Sequence, residues 1–322
     1  MVNWALARAS GWRLLLRIED LDAPRVKLGA EEEIRRSLGW LGIEWDSESE
    51  RQSTRGARYE DAMRNLSARG LVFESPHSRA EVRAHVSAEA REAVREEVSA
   101  KVPAESAATA PASPASAPHG DGATLCFPRA LRPALGPKWR FEARTINHRF
   151  RMDDALVEVH DEVMGRHAFP LADDPGDPIV WSKAGVAAYQ LAVVVDDAAG
   201  GVTDVVRGED LLQSAAIQSV LAKALGFLPP RWWHLPLVLD DEGRRLSKRD
   251  GDLSLAALRE LGCPPERIVG LIAFWVGVID ALEPMSAKEL PTRLNPEHLK
   301  AWSRRDRPRV DASVRRWLEG AR

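Results

Sequence analysis

At 322 residues and 44% hydrophobic composition, the chain can hold one large α/β domain or two domains, with a sizeable buried core. Its 45 basic and 48 acidic side chains leave a net charge of -3, which excludes a protein that grips nucleic acid by overall charge while leaving room for a local basic patch. Only two cysteines are present, Cys126 and Cys263, far apart, so neither a disulfide framework nor a Cys-x-x-Cys metal clip can be built. No apolar run is long enough for a bilayer, and Met1 to Ala9 lacks a signal peptide's basic start and long apolar core, so the expected location is cytoplasmic, with no membrane partner.

In chain order, Trp12 to Ile18 is a short apolar run that meets Glu19-Asp20, a strand ending in charge. Glu31 to Leu41 has the spacing of an amphipathic helix, with Ile34, Leu38 and Leu41 on one side. From about residue 87 to 123 a charged piece gives way to Ala, Ser and Pro, a composition that cannot bury enough apolar surface to offset its ordering entropy and reads as a disordered insertion. Trp139 to Ala143 and Ala155 to His160 alternate as short exposed strands, and Ala172 to Pro178 is a loop. Two apolar stretches then end in charge: Tyr189 to Asp197, and Val205 onward to Arg207-Gly208-Glu209-Asp210. Both read as strands buried on two faces, as in a parallel sheet whose ligands lie at the carboxyl ends. Leu211 to Leu225 is a helix closed by Gly226 and Pro229-Pro230, and His234 to Leu239 another strand. The rest is mainly helical, interrupted by Pro264-Pro265 and Pro284. Its arginines, Arg304 to Arg316 between Trp302 and Trp317, suit either a phosphate backbone or a solvated helix face.

Chemistry concentrates at three places. A carboxylate at a strand tip, Glu19, can hold an ammonium group, and Arg207 can bind a carboxylate at two points, so together they would select an acidic amino acid. The alternative is that Arg17, Glu19 and Asp22 pair with one another. The loop Asp241 to Gly251 gathers four cations between glycines, which suits a polyphosphate or a solvated turn, with Lys248 the candidate contact. His234, Trp232, Trp233 and Trp275 read as structural packing.

Leu16-Arg17-Ile18-Glu19-Asp20-Leu21-Asp22, Tyr189 to Asp197, Val206 to Asp210, His234-Leu235-Pro236-Leu237 and Arg245-Leu246-Ser247-Lys248 follow the order and spacing of class I glutamyl-tRNA synthetases, which the chain resembles over most of Trp4 to Asp250. The resemblance is greatest to the short members that lack an anticodon-binding domain, since few residues follow Lys248. It implies an α/β fold, with a Rossmann-like catalytic domain on a doubly wound parallel sheet, an inserted small subdomain and a helical C-terminal part. The implied divisions are 1–72 and 179–252 for the catalytic domain, 73–178 for the insertion and 253–322 for the helical region. It further implies that Glu19, Tyr189 and Arg207 contact glutamate. Lys248, as catalytic group, would contact ATP together with Ser247 and Arg245. With ATP and Mg2+, glutamate would become glutamyl-AMP and pass to queuosine at the wobble position of tRNA(Asp), the enzyme acting as a monomer. The alternatives are a shortened enzyme that charges the tRNA 3' end, or a degenerate paralogue that only binds.

The chain departs from that pattern in three ways. Neither the Arg-x-Ala-Pro-Ser opening nor a His-x-Gly-His signature occurs, and Met1 to Arg8 resembles the helix that normally follows them, so a downstream start and weak glutamate activation are expected. At the family's zinc positions stand Ser75, His77, Gly122 and Cys126, one thiol and one imidazole, too few for a closed site, so zinc is expected to be lost. Arg245 replaces the first Lys of the signature loop.

Overall fold

The computed structural model describes residues 1–22, 29–78, 80–87, 126–134, 141–143, 145–153, 155–246 and 253–320. The Ala/Ser/Pro tract, apart from the first residue of the 87–123 range, lies outside them, as do Gly122, Ser247 and Lys248.

The chain opens with helix α1 (Val2–Ala9), whose Trp4, Ala5, Leu6 and Ala7 are buried. Strand β1 (Leu15–Leu16) pairs in parallel with β2 (Ser47–Glu48) across helix α2 (Ala30–Trp40). The α2 helix lies where its spacing puts it, although Ile34 on the expected apolar side is half exposed. Helix α3 (Gly56–Ala68) buries Tyr59, Ala62, Met63 and Leu66. It leads into β3 (Val72–Ser75), which forms an antiparallel sheet with β4 (Asn147–Phe150) and, beyond it, β7 (Ile179–Trp181).

The sheet that matters most for chemistry is four-stranded. Its order is β6 (Gly165–Phe169), β5 (Val157–Asp161), β9 (Arg231–Leu235), β8 (Asp204–Gly208). β9 runs parallel to both β5 and β8, and β6 adds an antiparallel edge by a hairpin from β5. The β5 segment was read as exposed, yet Val159 and Asp161 are buried, because the strand lies inside this sheet beside β9.

Tyr189 to Asp197 is not a strand. It is helix α4 (Tyr189–Gly200), closed by Gly201 in the left-handed region at φ 63°. Leu191, Ala192, Val193, Val194, Val195 and Asp196 are all buried in it. The helix packs against α3, β7 and α5 (Leu212–Leu225), so it has almost no polar face. With apolar residues on most sides, the helical period vanishes from the sequence, and the nine-residue Val-rich run Tyr189 to Asp197 cannot be told from a strand by pattern. The α5 helix ends at Gly226 (φ 81°), as its closing residues indicate.

Among the described residues two large apolar clusters form, beside a small one of Phe73, Val82 and Phe127. One joins α3, α4 and α5 to the strands. The second joins α1 to the C-terminal helices, among them α7 (Pro265–Trp275), α9 (Pro296–Ser303) and α10 (Ala312–Glu319), which follow α6 (Leu255–Glu260) and the short α8 (Leu290–Arg293) in that count. Pro264-Pro265, read as an interruption, starts a helix: Pro265 sits at the first helical position, where a missing N–H costs nothing. Among the described residues no helix is long and apolar enough to cross a membrane.

Candidate active site

The register of β8 against β9 sets Arg207 directly beside His234. Arg207 Nε donates to His234 Nε2 at 3.0 Å, Nη1 to Gln218 Oε1 at 2.9 Å, and Nη2 to the Leu211 carbonyl at 3.1 Å. A further hydrogen bond joins it to the Tyr189 side chain, and its guanidinium carbon lies 4.8 Å from the centre of the Trp232 ring. Among the described residues these partners are all neutral; the carboxylates of Asp197 and Asp210 act on Arg207 only through space. Burial pushes the guanidinium pKa below its ordinary value, but from so high a start the group stays cationic. The site therefore holds a part-buried positive charge whose hydrogen bonds go to dipoles, and a carboxylate ligand would supply the missing anion.

The neutral partners are themselves fixed. Gln218 Nε2 donates to Gln190 Oε1 at 2.8 Å, and Gln190 Nε2 to Ser214 Oγ at 3.2 Å. His234 Nδ1 lies 2.6 Å from Asp161 Oδ2, with both side chains fully buried. Burial pushes the His234 imidazole below its ordinary value, and the charge of Arg207 works in the same direction, so the ring is neutral near pH 7. Gly208 follows Arg207, and a Cβ there would lie 2.6 Å from Asp210 Oδ1, so a side chain would push Asp210 away from the strand end.

Opposite lies the acidic side. Arg17 Nε and Nη2 each donate to Glu19 Oε1 at 3.1 Å, and Nη1 donates to Asp197 Oδ1 at 2.5 Å. Burial works against the Arg17 charge, but Asp197 and Glu19 outweigh it and hold its pKa above the ordinary value. Tyr189, at the start of α4, stands between the two sides: burial raises its phenol, Arg207 lowers it and Glu19 raises it. Glu19, Tyr189 and Arg207, named from the sequence, thus share one electrostatic neighbourhood. The local pairing read as the alternative also occurs in part, since Arg17 does bind Glu19.

The adjacent residue, Asp196, faces the other way. It accepts from Gln52 Nε2 at 2.8 Å, Arg55 Nη1 at 2.7 Å and Tyr59 Oη at 2.9 Å, which ties α4 to α3 and to the turn before it.

A family model for the catalytic domain of tRNA synthetases class I (E and Q) matches residues 1–110 and 138–303. The glutamyl-Q tRNA(Asp) synthetase of Symbiobacterium thermophilum is 36% identical over 302 residues, covering 90% of this chain and 84% of that one. That of Geobacter sulfurreducens is 40% identical over 261 residues, covering 81% and 73%. The chain belongs to the class I tRNA synthetases (E and Q), in the group of the glutamyl-Q tRNA(Asp) synthetases. A glutamate–tRNA ligase of Synechococcus is 36% identical over 84% of this chain but only 51% of its own length. Among solved structures, a glutamate tRNA ligase from Elizabethkingia meningosepticum in complex with its amino acid shares the fold at a TM-score of 0.69 and 22% identity. That match covers 98% of this chain and 64% of that one.

In this synthetase the signature loop is described as far as Leu246, and Ser247 and Lys248 fall outside. Arg245 Nη1 donates to Asp210 Oδ2 at 2.7 Å, which attaches the loop to the segment that carries Arg207. The turn before it is organised by Asp240, which accepts from the backbone of Glu242 at 3.0 Å and of Arg244 at 2.8 Å.

The family's zinc positions offer a poor donor set. Ser75 Oγ accepts from Arg149 Nε at 3.2 Å, Cys126 Sγ donates to the Asp173 carbonyl at 2.7 Å, and the His77 ring lies 6.2 Å from that of Phe127. The Arg149 guanidinium lies 4.1 Å from the centre of the Phe127 ring, and burial lowers its pKa to about 10 against the opposing pull of Asp177. A cation already stands among these residues, and a second one would be repelled. They do not fit a zinc ion.

The reading from sequence missed Asp197, Gln218, Gln190 and the Asp161–His234 pair as parts of the site. Asp197 lies within one of the family motifs and so carried a weak signal, whereas Gln218 is one of several polar residues on its helix and carried none. Asp161 and His234 are 73 positions apart and carried none. Of the tail arginines, Arg307 pairs with Glu209 (Nη2 to Oε2, 3.1 Å), beside the end of β8, while Arg304, Arg305, Arg309 and Arg316 are exposed.

Proposed function

We propose that this synthetase uses ATP to activate glutamate and passes the glutamyl group to queuosine at the wobble position of tRNA(Asp). The observation that carries the reading is the cationic Arg207, bonded among the described residues to neutral groups, with Tyr189 feeling the charges of both Arg207 and Glu19. Arg207 takes the side-chain carboxylate of glutamate, and Glu19 takes its ammonium group through Oε2, since both Arg17 bonds fall on Oε1. Lys248, with Ser247 and Arg245, steadies the ATP phosphates. A glutamate carboxylate oxygen attacks the α-phosphorus, the bond to pyrophosphate breaks, and glutamyl-AMP forms. Queuosine then attacks the activated carbonyl and AMP leaves. Mg2+ supplies positive charge to the departing pyrophosphate. The protein positions the reactants and needs no nucleophile of its own.

Sequence identity supports transfer to the modified base over transfer to the tRNA 3' end: the glutamyl-Q tRNA(Asp) synthetase of Geobacter sulfurreducens is 40% identical, against 36% for the glutamate–tRNA ligase of Synechococcus. The test is transfer of radiolabelled glutamate to tRNA(Asp) with and without queuosine, using tRNA from which the 3'-terminal adenosine has been removed. Label that requires queuosine and persists without that adenosine is expected. Label lost with the adenosine would overturn the choice of acceptor, and glutamine bound as tightly as glutamate in calorimetry would overturn the choice of amino acid.

A further inference from the structure

We propose that Asp161 and His234 act as a positioning pair that fixes the fork of Arg207 toward the glutamate side chain. The proposal rests on the reading of Arg207 as the glutamate contact.

A guanidinium only donates, so the ring nitrogen that faces Arg207 Nε must accept. That assigns the lone pair to His234 Nε2 and the proton to Nδ1. The Nδ1–H tautomer needs an acceptor, and Asp161 Oδ2 at 2.6 Å is that acceptor. Asp161 is not free to turn: its Oδ1 accepts from the backbone of Val163 at 3.0 Å and of Met164 at 2.8 Å, and the His234 amide donates to both oxygens at 3.1 to 3.2 Å. The result is a chain from carboxylate to imidazole to guanidinium with each proton placed. The Asp161 carboxylate is held one ring away from Arg207, so it orients the imidazole without occupying the guanidinium. With Nε committed to His234, one N–H of Nη1 to Gln218, one of Nη2 to Leu211 and one terminal N–H to Tyr189, a single terminal N–H is left for the glutamate carboxylate, so Arg207 holds it at one point rather than the two expected from the sequence.

The Asp161→Asn variant tests this with little change of shape. The backbone donors of Val163 and Met164 hold the amide oxygen at the Oδ1 position, which turns the amide NH2 toward Nδ1. His234 must then carry its proton on Nε2, donor against donor with Arg207. The expected result is a cooperative melt with glutamate Kd raised about 10-fold or more by calorimetry. The KM for ATP in pyrophosphate exchange stays unchanged, and the His234 15N shifts report the opposite tautomer. A folded Asp161→Asn protein that binds glutamate as the wild type does overturns the proposal. If that variant does not fold, His234→Gln and His234→Phe replace it: Gln keeps an acceptor for Arg207 and Phe does not. Loss of glutamate affinity in Phe alone supports the proposal, and equal affinity in the two overturns it. Arg207→Ala separates the two readings. If it abolishes glutamate binding while Asp161→Asn does not, only the positioning pair fails; if it binds glutamate normally, the assignment of the substrate fails.

Discussion

The Asp196→Asn substitution is expected to be among the most damaging single-atom changes in this synthetase. Asp196 is fully buried and receives three donors, with Arg55 Nη1 on Oδ1 at 2.7 Å and Gln52 Nε2 and Tyr59 Oη together on Oδ2. At an effective dielectric of about 20, the Arg55 contact alone amounts to roughly 6 kcal/mol of attraction, much of which offsets the cost of burying both charges. An amide with its oxygen on Arg55 satisfies its neighbours only if the Gln52 amide flips and the Tyr59 hydroxyl turns to accept, and it removes the nearer of the two carboxylates on Arg55, leaving Glu50 at 3.6 Å. Breaking the closer half of this buried pairing costs about 3 kcal/mol, which for a chain of this length lowers the melting temperature by roughly 5–10 °C. Because α4 carries Tyr189 at one end and Asp197 beside Asp196, glutamate affinity should fall as well. The assays are thermal melting by circular dichroism and glutamate titration. A variant within about 1 kcal/mol of wild type, which is the scale of a neutral hydrogen bond, would refute the idea that this cluster anchors the helix.

Other consequences can be measured directly. Arg149→Ala removes a buried cation stacked on Phe127, so it should destabilise the protein by about 1–3 kcal/mol, and added zinc should not restore the melting temperature; recovery with zinc would reinstate the metal site. His234 has its pKa lowered by folding, so the unfolded chain takes up its proton first. Stability should therefore be complete above about pH 6.5 and decline as pH falls below it, and denaturant midpoints with a shallower decline in His234→Gln would confirm the source. Gly270→Ala would place a Cβ 1.9 Å from the Glu283 carbonyl, which the backbone cannot accommodate in place. A loss of about 3 kcal/mol or more is expected in urea denaturation, and a neutral result would mean that the loop at Glu283 yields easily.

How much could be read from the sequence depended on whether the cause was local. Strand β8 was legible because a short apolar run meets charge at Arg207, and α5 because Gly226 marks its end. The α4 helix was not, since burial by α3, α5 and β7 removed the polar face that would reveal a helical period. Glu19 and Arg207 were named from their positions at element ends, which is a local property. Their surroundings depend on contacts between distant residues, such as Arg17 with Asp197, separated by 180 positions. His234 was read as structural packing for the same reason: nothing near it in the chain announces Asp161 or Arg207.

The same contacts explain how one site holds opposite charges without collapsing on itself. If Arg207 reached Glu19 or Asp197 directly, the ion pair would close and leave no place for an amino acid. Arg17 prevents this by occupying Glu19 Oε1 and Asp197 Oδ1 on the acidic side. On the basic side the Trp232 face, Gln218, the Leu211 carbonyl and His234 hold Arg207 in place with dipoles. Each charged group is thus steadied by neighbours that do not cancel it. On the proposed assignment, a zwitterion with an acidic side chain complements both sides at once, whereas a neutral amide offers Arg207 only another dipole, of which it already has several.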